Sequence, residues 1–270
     1  MHASIILSMA LGASSIIAAP VWPQINWNSV KPDGIDSVSE YFNMLAKKVE
    51  AGKLMALAPT CDLSTAVMPT VSVDPLVPPT EGLTLKHVAV GRGTQNYTCD
   101  LANATAVPVL AGAVATLFNA SCVASTYPDL LQTLPKLALQ FNLTSEEGGI
   151  GGQIRMGPTD LAISGKHFFT NSTTPFFNLD TDQYQIGEAG CQKDSQTDAP
   201  NDAPTGLQGE KAVPWLRLLT RVGATGNLQQ VYRVETAGGS APATCDGMPA
   251  SFEVQYSAQY WFWEGQPTET

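Results

Sequence analysis

Residues 252–263, FEVQYSAQYWFW, alternate between large apolar and mostly polar side chains. One side of this stretch carries Phe252, Val254, Tyr256, Ala258, Tyr260 and Phe262, and the other carries Glu253, Gln255, Ser257 and Gln259. A period of two is that of a β-strand, and an apolar side opposite a polar side is typical of a half-buried antiparallel sheet. This stretch therefore predicts a mainly β fold.

Further strands are predicted on the N-terminal side. Residues 215–222 and 229–236 predict two strands separated by GATG at 223–226, which is the spacing of a hairpin. Residues 83–90 and 113–119 predict two more strands, and Gly91-Arg-Gly93 predicts a β-bulge after the first. Short strands bounded by Gly, Pro and Asn predict a mainly β fold: an antiparallel β-sandwich or barrel with one or two peripheral helices.

Two helices accompany the predicted strands. Residues 35–57 have helical periodicity and begin with a capping box at Ser37 and Glu40. Residues 128–141 predict a short helix that is broken or kinked at Pro135. Extended loops are predicted at the proline-rich residues 60–81 and the polar residues 187–209. The expected organisation is a signal peptide (1–19), an N-terminal helix with a proline-rich lead-in (20–82) and a β-sandwich domain (83–264).

Export is predicted from both the N-terminus and the asparagines. Residues 5–17 are mostly apolar and precede Ala18 and Ala19, as in a signal peptide. Five Asn-x-Ser/Thr sequons follow within a short region: Asn96, Asn103, Asn119, Asn142 and Asn171. N-glycosylation requires a solvated surface in a secreted protein. We therefore expect a secreted, extracellular glycoprotein without a membrane anchor.

Composition excludes several classes of partner and cofactor. The net charge of −10 disfavours nucleic acid and anionic membranes, so we expect an extracellular protein or a glycan as partner. The glycines at 148–152 lack the pattern and context of a nucleotide-binding loop, and no cofactor is predicted. The widely spaced cysteines and the absence of paired histidines predict no metal site.

The cysteine count predicts two disulfides and one free thiol. Five cysteines in an oxidising compartment leave one unpaired, and we predict that this is Cys191 because it lies in a polar stretch. The remaining four, which allow three connectivities, are Cys61, Cys99, Cys122 and Cys245.

Four segments together resemble a known family. They are GRGTQNYTC at residues 91–99, VPWL at 213–216, VYRVETAGGSAPATC at 231–245 and YSAQYWF at 256–262. In this order they are similar to domain of unknown function 3455, a family of secreted fungal and bacterial proteins often labelled malate dehydrogenase. The chain does not support that label, since it lacks a dinucleotide fingerprint. The resemblance marks recurring positions at Gln95, Tyr97, His167, Trp215, Arg233, Thr236 and Tyr256.

Two interpretations of these marked positions stay open. In the first, Gln95, Tyr97, His167 and Arg233 form a ligand pocket in which His167 is a general base and Arg233 binds an anionic or polar group. In the second, Gln95 and Arg233 are inward polar residues satisfied by backbone carbonyls, and His167 is a loop residue. Trp261 and Trp263 are similarly either an exposed platform or a second buried face under the N-terminal helix.

These observations support two hypotheses of function. The first is a non-catalytic binding protein outside the cell, with no catalytic residue assigned. In a fungal setting it would include a host-directed effector and virulence factor that inhibits a secreted host protease through loop 60–81 or 187–209. The alternative is an extracellular enzyme acting on a small polar or sugar substrate around His167 and Arg233.

Overall fold

The computed structural model describes residues 61–140, 161–182 and 184–266. Eight antiparallel strands form a closed barrel in which each strand pairs with its neighbours in sequence and the last pairs with the first. The strands are β1 (Thr84–Thr98), β2 (Val109–Asn119), β3 (Ile163–Asn171), β4 (Thr174–Asp180), β5 (Gln185–Thr197), β6 (Trp215–Thr220), β7 (Leu228–Gly238) and β8 (Ser251–Glu264). The mainly β prediction is confirmed. The predicted signal peptide, the helix at 35–57 and the turn at 148–152 lie outside the described residues.

Two helices lie between β2 and β3 and pack on the outside of the barrel: α1 (Ser121–Thr126) and α2 (Pro128–Leu139). Neither has the length and apolarity required to cross a bilayer. The apolar side of α2, including Leu130, Leu134 and Leu137, covers Trp215 and Trp261 on the outer wall. Trp261 is therefore buried beneath α2, and the helix expected to cover it lies outside the described residues.

The barrel interior combines small residues with large aromatic ones. Ala89, Ala113 and Ala115 share the interior with Phe177 and Tyr260. Gly91 and Gly93 belong to a continuous part of β1, so the predicted bulge there is wrong; the irregularities of β1 fall near residues 86 and 96. Gly91 is required for space instead, since a Cβ there would lie 2.5 Å from the Tyr260 ring.

A buried amide compensates for the proline inside α2. Pro135 has no N–H to donate to the Leu131 carbonyl four residues earlier. Gln259 of β8, fully buried, donates its Nε2–H to that carbonyl at 3.1 Å, and its Oε1 accepts from Trp261 Nε1 at 3.0 Å. The helix is therefore not broken at Pro135, and it continues to Leu139.

Arg92 joins the end of α2 to the barrel wall. This residue is 3% exposed and lies on the outer side of β1. Its Nε donates to the Ala138 carbonyl at 3.1 Å, and its Nη1 donates to the carbonyls of Gly93 at 3.0 Å and Tyr256 at 3.3 Å. Its Nη2 donates to Gln255 Oε1. The guanidinium thus stabilises the helix C-terminus, where carbonyls lack partners within the helix.

The proline-rich segment is held along the barrel. Tyr232 Oη donates to the Val77 carbonyl at 2.8 Å, and Gln230 exchanges two hydrogen bonds with Thr80. A disulfide joins Cys61 to Cys122 in α1. Residues 187–197, expected within a polar loop, belong to β5. Neither predicted loop therefore projects as a whole from the surface.

The four cysteines predicted to pair do so in the structure. Besides the Cys61–Cys122 bridge, Cys99 at the end of β1 is joined to Cys245 in the β7–β8 connection. Cys191 is free and completely buried, because it lies on the inward side of β5 rather than in a loop.

Candidate functional site

Four residues predicted to form a pocket lie together inside the barrel. Gln95 and Tyr97 come from β1, His167 from β3 and Arg233 from β7, and their exposed fractions are 2%, 8%, 3% and 8%. The charge of Arg233 acts on both Tyr97 and His167 as well as on Tyr256 and Tyr260 of β8. The structure therefore brings the predicted residues to one interior region and adds two tyrosines to them.

The tyrosine hydroxyls in this region are hydrogen-bonded. Tyr256 Oη and Tyr260 Oη lie 2.8 Å apart, and Tyr97 Oη donates to the Gly239 carbonyl at 2.8 Å. Burial raises the pKa of all three tyrosines, so their hydroxyls stay neutral in the physiological range.

His167 is a strand residue rather than the loop residue of the second interpretation. Its Nδ1 lies 2.9 Å from the Phe176 carbonyl oxygen, which places the proton on Nδ1, and its ring stacks on Phe177 with centroids 4.3 Å apart. Burial, with a contribution from the Arg233 charge, lowers its pKa to about 4. The imidazole is therefore neutral and weakly basic at neutral pH, which makes it a poor general base.

Two polar atoms in this interior region make no hydrogen bond of regular geometry among the described residues, Gln95 Nε2 and Arg233 Nε, although the Gln95 side chain interacts with the Tyr256 hydroxyl. Arg233 Nη2 donates to the Pro214 carbonyl at 2.8 Å, and the guanidinium also interacts with the Tyr260 hydroxyl. The first interpretation requires a ligand pocket, and the second requires backbone carbonyl partners for Gln95 and Arg233. Arg233 has one carbonyl partner, and its Nε atom has none among the described residues.

A larger concave site lies outside the barrel wall. This outer cleft has a volume of about 890 Å³ and lies between residues 70–74, α2 and residues 197–204. Its floor is formed by Trp215, Glu235 and Thr236 of the barrel. Four acidic residues line it, namely Asp74, Asp198, Asp202 and Glu235. Such a volume is within the range of small-molecule binding sites.

Glu235 reaches the outer cleft because of an irregularity in β7. Strict alternation would place it on the inner side with Val231 and Arg233. The pairing of β7 with β8 shifts register between Val234 and Ala237, and Glu235 adopts a left-handed backbone with φ of 46°. Burial, and secondarily the charge of Asp202, raises its pKa to about 7. Backbone strain of this kind is common at functional sites.

Trp215, which lines both the outer cleft and the neighbouring apolar pocket formed with Trp263, carries an unsatisfied donor. Its side chain is 2% exposed, and its Nε1 has no hydrogen-bond partner among the described residues. An unpaired buried donor costs about 1–3 kcal/mol, so an acceptor supplied by a ligand would be favoured here. The family resemblance marks Trp215 and Thr236 among the lining residues of the cleft. Glu235 and Asp202 carry no sequence signal, because they are brought together only by the bulge in β7 and by the conformation of the loop that holds Asp202.

Cys191 is not a candidate nucleophile. Burial raises its pKa to about 12, so the thiol is protonated at any physiological pH. We expect native protein to resist alkylation by iodoacetamide and denatured protein to incorporate one label per chain. Mass spectrometry of both samples checks this expectation, and rapid labelling of the native protein would contradict the burial of this thiol.

Two of the sequons lie on exposed turns. At Asn103 and Asn171 the asparagine is exposed, and its Oδ1 accepts a hydrogen bond from the sequon threonine hydroxyl at 2.8 Å and 3.0 Å, respectively. Asn96 and Asn119 are half-buried, and Asn142 lies outside the described residues. Within the part of the chain described, no group of three His, Cys, Asp or Glu side chains is placed to hold a metal ion.

The fold and the interior site define an eight-stranded antiparallel barrel with a polar centre. The chain matches the family described as "Protein of unknown function (DUF3455)" over residues 79–264, and it belongs to that family. The predicted resemblance is thereby confirmed. Neither a curated protein nor a solved structure matches the chain.

Proposed function

We propose that this protein is a non-catalytic extracellular binding protein whose outer cleft recognises a glycan. The observation that carries the proposal is the pairing of donors and acceptors in the cleft. Its acidic side chains accept hydrogen bonds, whereas Trp215 Nε1 needs an acceptor. A sugar hydroxyl both donates and accepts, so a polyhydroxyl ligand satisfies the two requirements together.

Other ligand classes match the charges and hydrogen-bonding groups of the cleft less completely. An anionic ligand is repelled by Asp74, Asp198 and Asp202. A cationic peptide would pair with these carboxylates, and its backbone carbonyls would accept from the indole, but its positive charge would also lie near the Lys136 ammonium that lines the cleft. The neutral glycan is therefore favoured, and the two disulfides agree with an extracellular location.

Protease inhibition by a projecting loop has less structural basis than glycan binding. The proline-rich segment is tied to the barrel through Val77 and Thr80 and to α1 through Cys61, and residues 187–197 are strand. The enzymatic alternative around His167 and Arg233 is also less favoured, because a buried imidazole with a pKa of about 4 is a weak base at neutral pH.

Isothermal titration calorimetry with four neutral oligosaccharides tests the proposal: cellohexaose, chitohexaose, xylohexaose and mannohexaose. We expect one of them to bind protein produced through a secretory host. The double variant Asp202→Asn/Glu235→Gln should weaken that binding at least about tenfold, a loss of about 1.4 kcal/mol. The control Glu253→Gln removes an exposed carboxylate of β8 that does not line the cleft, and it should bind as the wild type does.

Three outcomes would contradict the proposal. Binding of none of the four sugars would remove the ligand class. Binding of hexalysine in their place would identify a cation site. Release of new reducing ends from a bound sugar would make the protein a hydrolase, with Glu235 and Asp202 as the candidate carboxyl pair.

A further inference from the structure

The barrel interior holds a guanidinium whose charge no described residue neutralises. Arg233 is 8% exposed, and the ion pairs found within the described residues are Lys86–Glu264 and Arg217–Asp194. Its neighbours Tyr97, Tyr256 and Tyr260 are neutral hydroxyls, since burial raises the pKa of each. A buried charge without a counter-ion is costly.

The same chain shows how an arginine with a structural role is satisfied. Arg92, which is also buried, donates to three backbone carbonyls and to the Gln255 side chain. Arg233 donates to the Pro214 carbonyl and interacts with the Tyr260 hydroxyl, and its Nε has no partner among the described residues. The difference between the two arginines indicates that Arg233 has a role beyond packing.

A second unpaired donor lies in the same interior region. Gln95 is 2% exposed; its side chain interacts with the Tyr256 hydroxyl, but its Nε2 makes no hydrogen bond of regular geometry within the described chain. Water would satisfy the hydrogen bonds of both donors but leave the charge uncompensated. An anion with two oxygens satisfies the donors and the charge, and a carboxylate matches the planar edge of a guanidinium.

We propose that Arg233 and Gln95 bind a small carboxylate inside the barrel, beside the hydroxyls of Tyr256 and Tyr260. The close packing around these residues limits its size. A Cβ at Gly239 would lie 2.7 Å from Tyr256 Cβ and 3.3 Å from Gln95 Cγ, so the backbone there leaves little free space. The ligand is therefore of the size of formate or acetate, and it is independent of the glycan proposed for the outer cleft.

Thermal unfolding with sodium formate at constant ionic strength and pH tests this site. We expect the Tm of the wild type to rise by several degrees along a saturable binding curve, because a ligand that binds only the folded state stabilises it. Arg233→Met should abolish the response and, in formate-free buffer, unfold at the wild-type Tm or above it. The matched control Arg221→Met removes the same charge from an exposed arginine and should keep the full response.

A wild-type measurement keeps the test independent of whether Arg233→Met folds. The resonance of ¹³C-labelled formate should broaden on addition of protein, and unlabelled formate should reverse the broadening by competition. Absence of both the Tm response and the broadening would overturn the site, as would a full response in a folded Arg233→Met protein. A response to chloride as large as that to formate would overturn the assignment to a carboxylate.

Discussion

Acidification from about pH 6.5 to about pH 4 is expected to lower the free energy of unfolding by about 3 kcal/mol for each of two buried histidines. His87 is fully buried, and both ring nitrogens lie 2.9 Å from serine hydroxyls, those of Ser164 and Ser121. Burial lowers the pKa of His87 to about 3 and is the main cause that lowers that of His167 to about 4.

The sign of this change in the free energy of unfolding follows from the pH at which the folded and unfolded states bind protons. The unfolded chain binds protons to these histidines near pH 6.5, whereas the folded chain does not until pH 3 to 4. Their contribution to stability is therefore fully present above pH 6.5 and is lost as the pH falls through that window. Urea unfolding at several pH values measures the loss.

Substitution of His87 isolates its contribution. His87→Gln should flatten the acid limb of the stability profile, even if it is less stable than the wild type at pH 7. Glu235→Gln is a comparison of opposite sign, because the raised pKa of Glu235 stabilises the folded state at low pH and this stabilisation is lost as pH rises from 4.5 to about 7. An acid limb unchanged in His87→Gln would show that His87 does not remain neutral in the folded protein.

Arg92→Met is expected to lower the free energy of unfolding by about 3–5 kcal/mol. The substitution removes a buried guanidinium that donates to the Ala138, Gly93 and Tyr256 carbonyls and leaves acceptors at the end of α2 without a donor. Loss of the contact should also loosen α2 over Trp215 and Trp261. Chemical denaturation with tryptophan fluorescence reports both effects.

Arg221→Met is the matched control for Arg92→Met. Arg221 is exposed, and its Nε donates to the Cys191 carbonyl at 3.3 Å, so its replacement should change stability by less than about 0.5 kcal/mol. If Arg92→Met were as stable as Arg221→Met, the C-terminus of α2 would have to be held to the barrel by other contacts.

The sequence predicted the parts of the fold in which a regular pattern and a turn coincide. The alternation of residues 252–263 corresponds to β8, and the hairpin around Gly223 and Gly226 joins β6 to β7. Strands β3, β4 and β5 were missed because their alternation is interrupted by glycines, by phenylalanines on both sides and by a sequon at Asn171. The sequence pattern alone therefore assigns His167 to a loop.

The interior site and the outer cleft differ in the same way in how far the sequence predicts them. Gln95 and Tyr97 lie on a stretch of β1, and Arg233 on a stretch of β7, that pair with β8 without interruption, so their shared inward direction follows from the sequence once those stretches are paired. The outer cleft does not follow, since it depends on a left-handed residue at Glu235 and on a loop that places Asp202 beside it. Strict alternation assigns Glu235 to the opposite side of the sheet.

Closure of the barrel through β1 and β8 has a consequence for biosynthesis. Cys99 and Cys245, which lie near the ends of these strands, are separated by 146 residues. At a synthesis rate of about 5–20 residues per second, the first strand leaves the ribosome roughly 7–30 s before its final partner. A nascent chain therefore carries an unpaired strand edge throughout this interval, which makes it a substrate for chaperones and a point of vulnerability to aggregation.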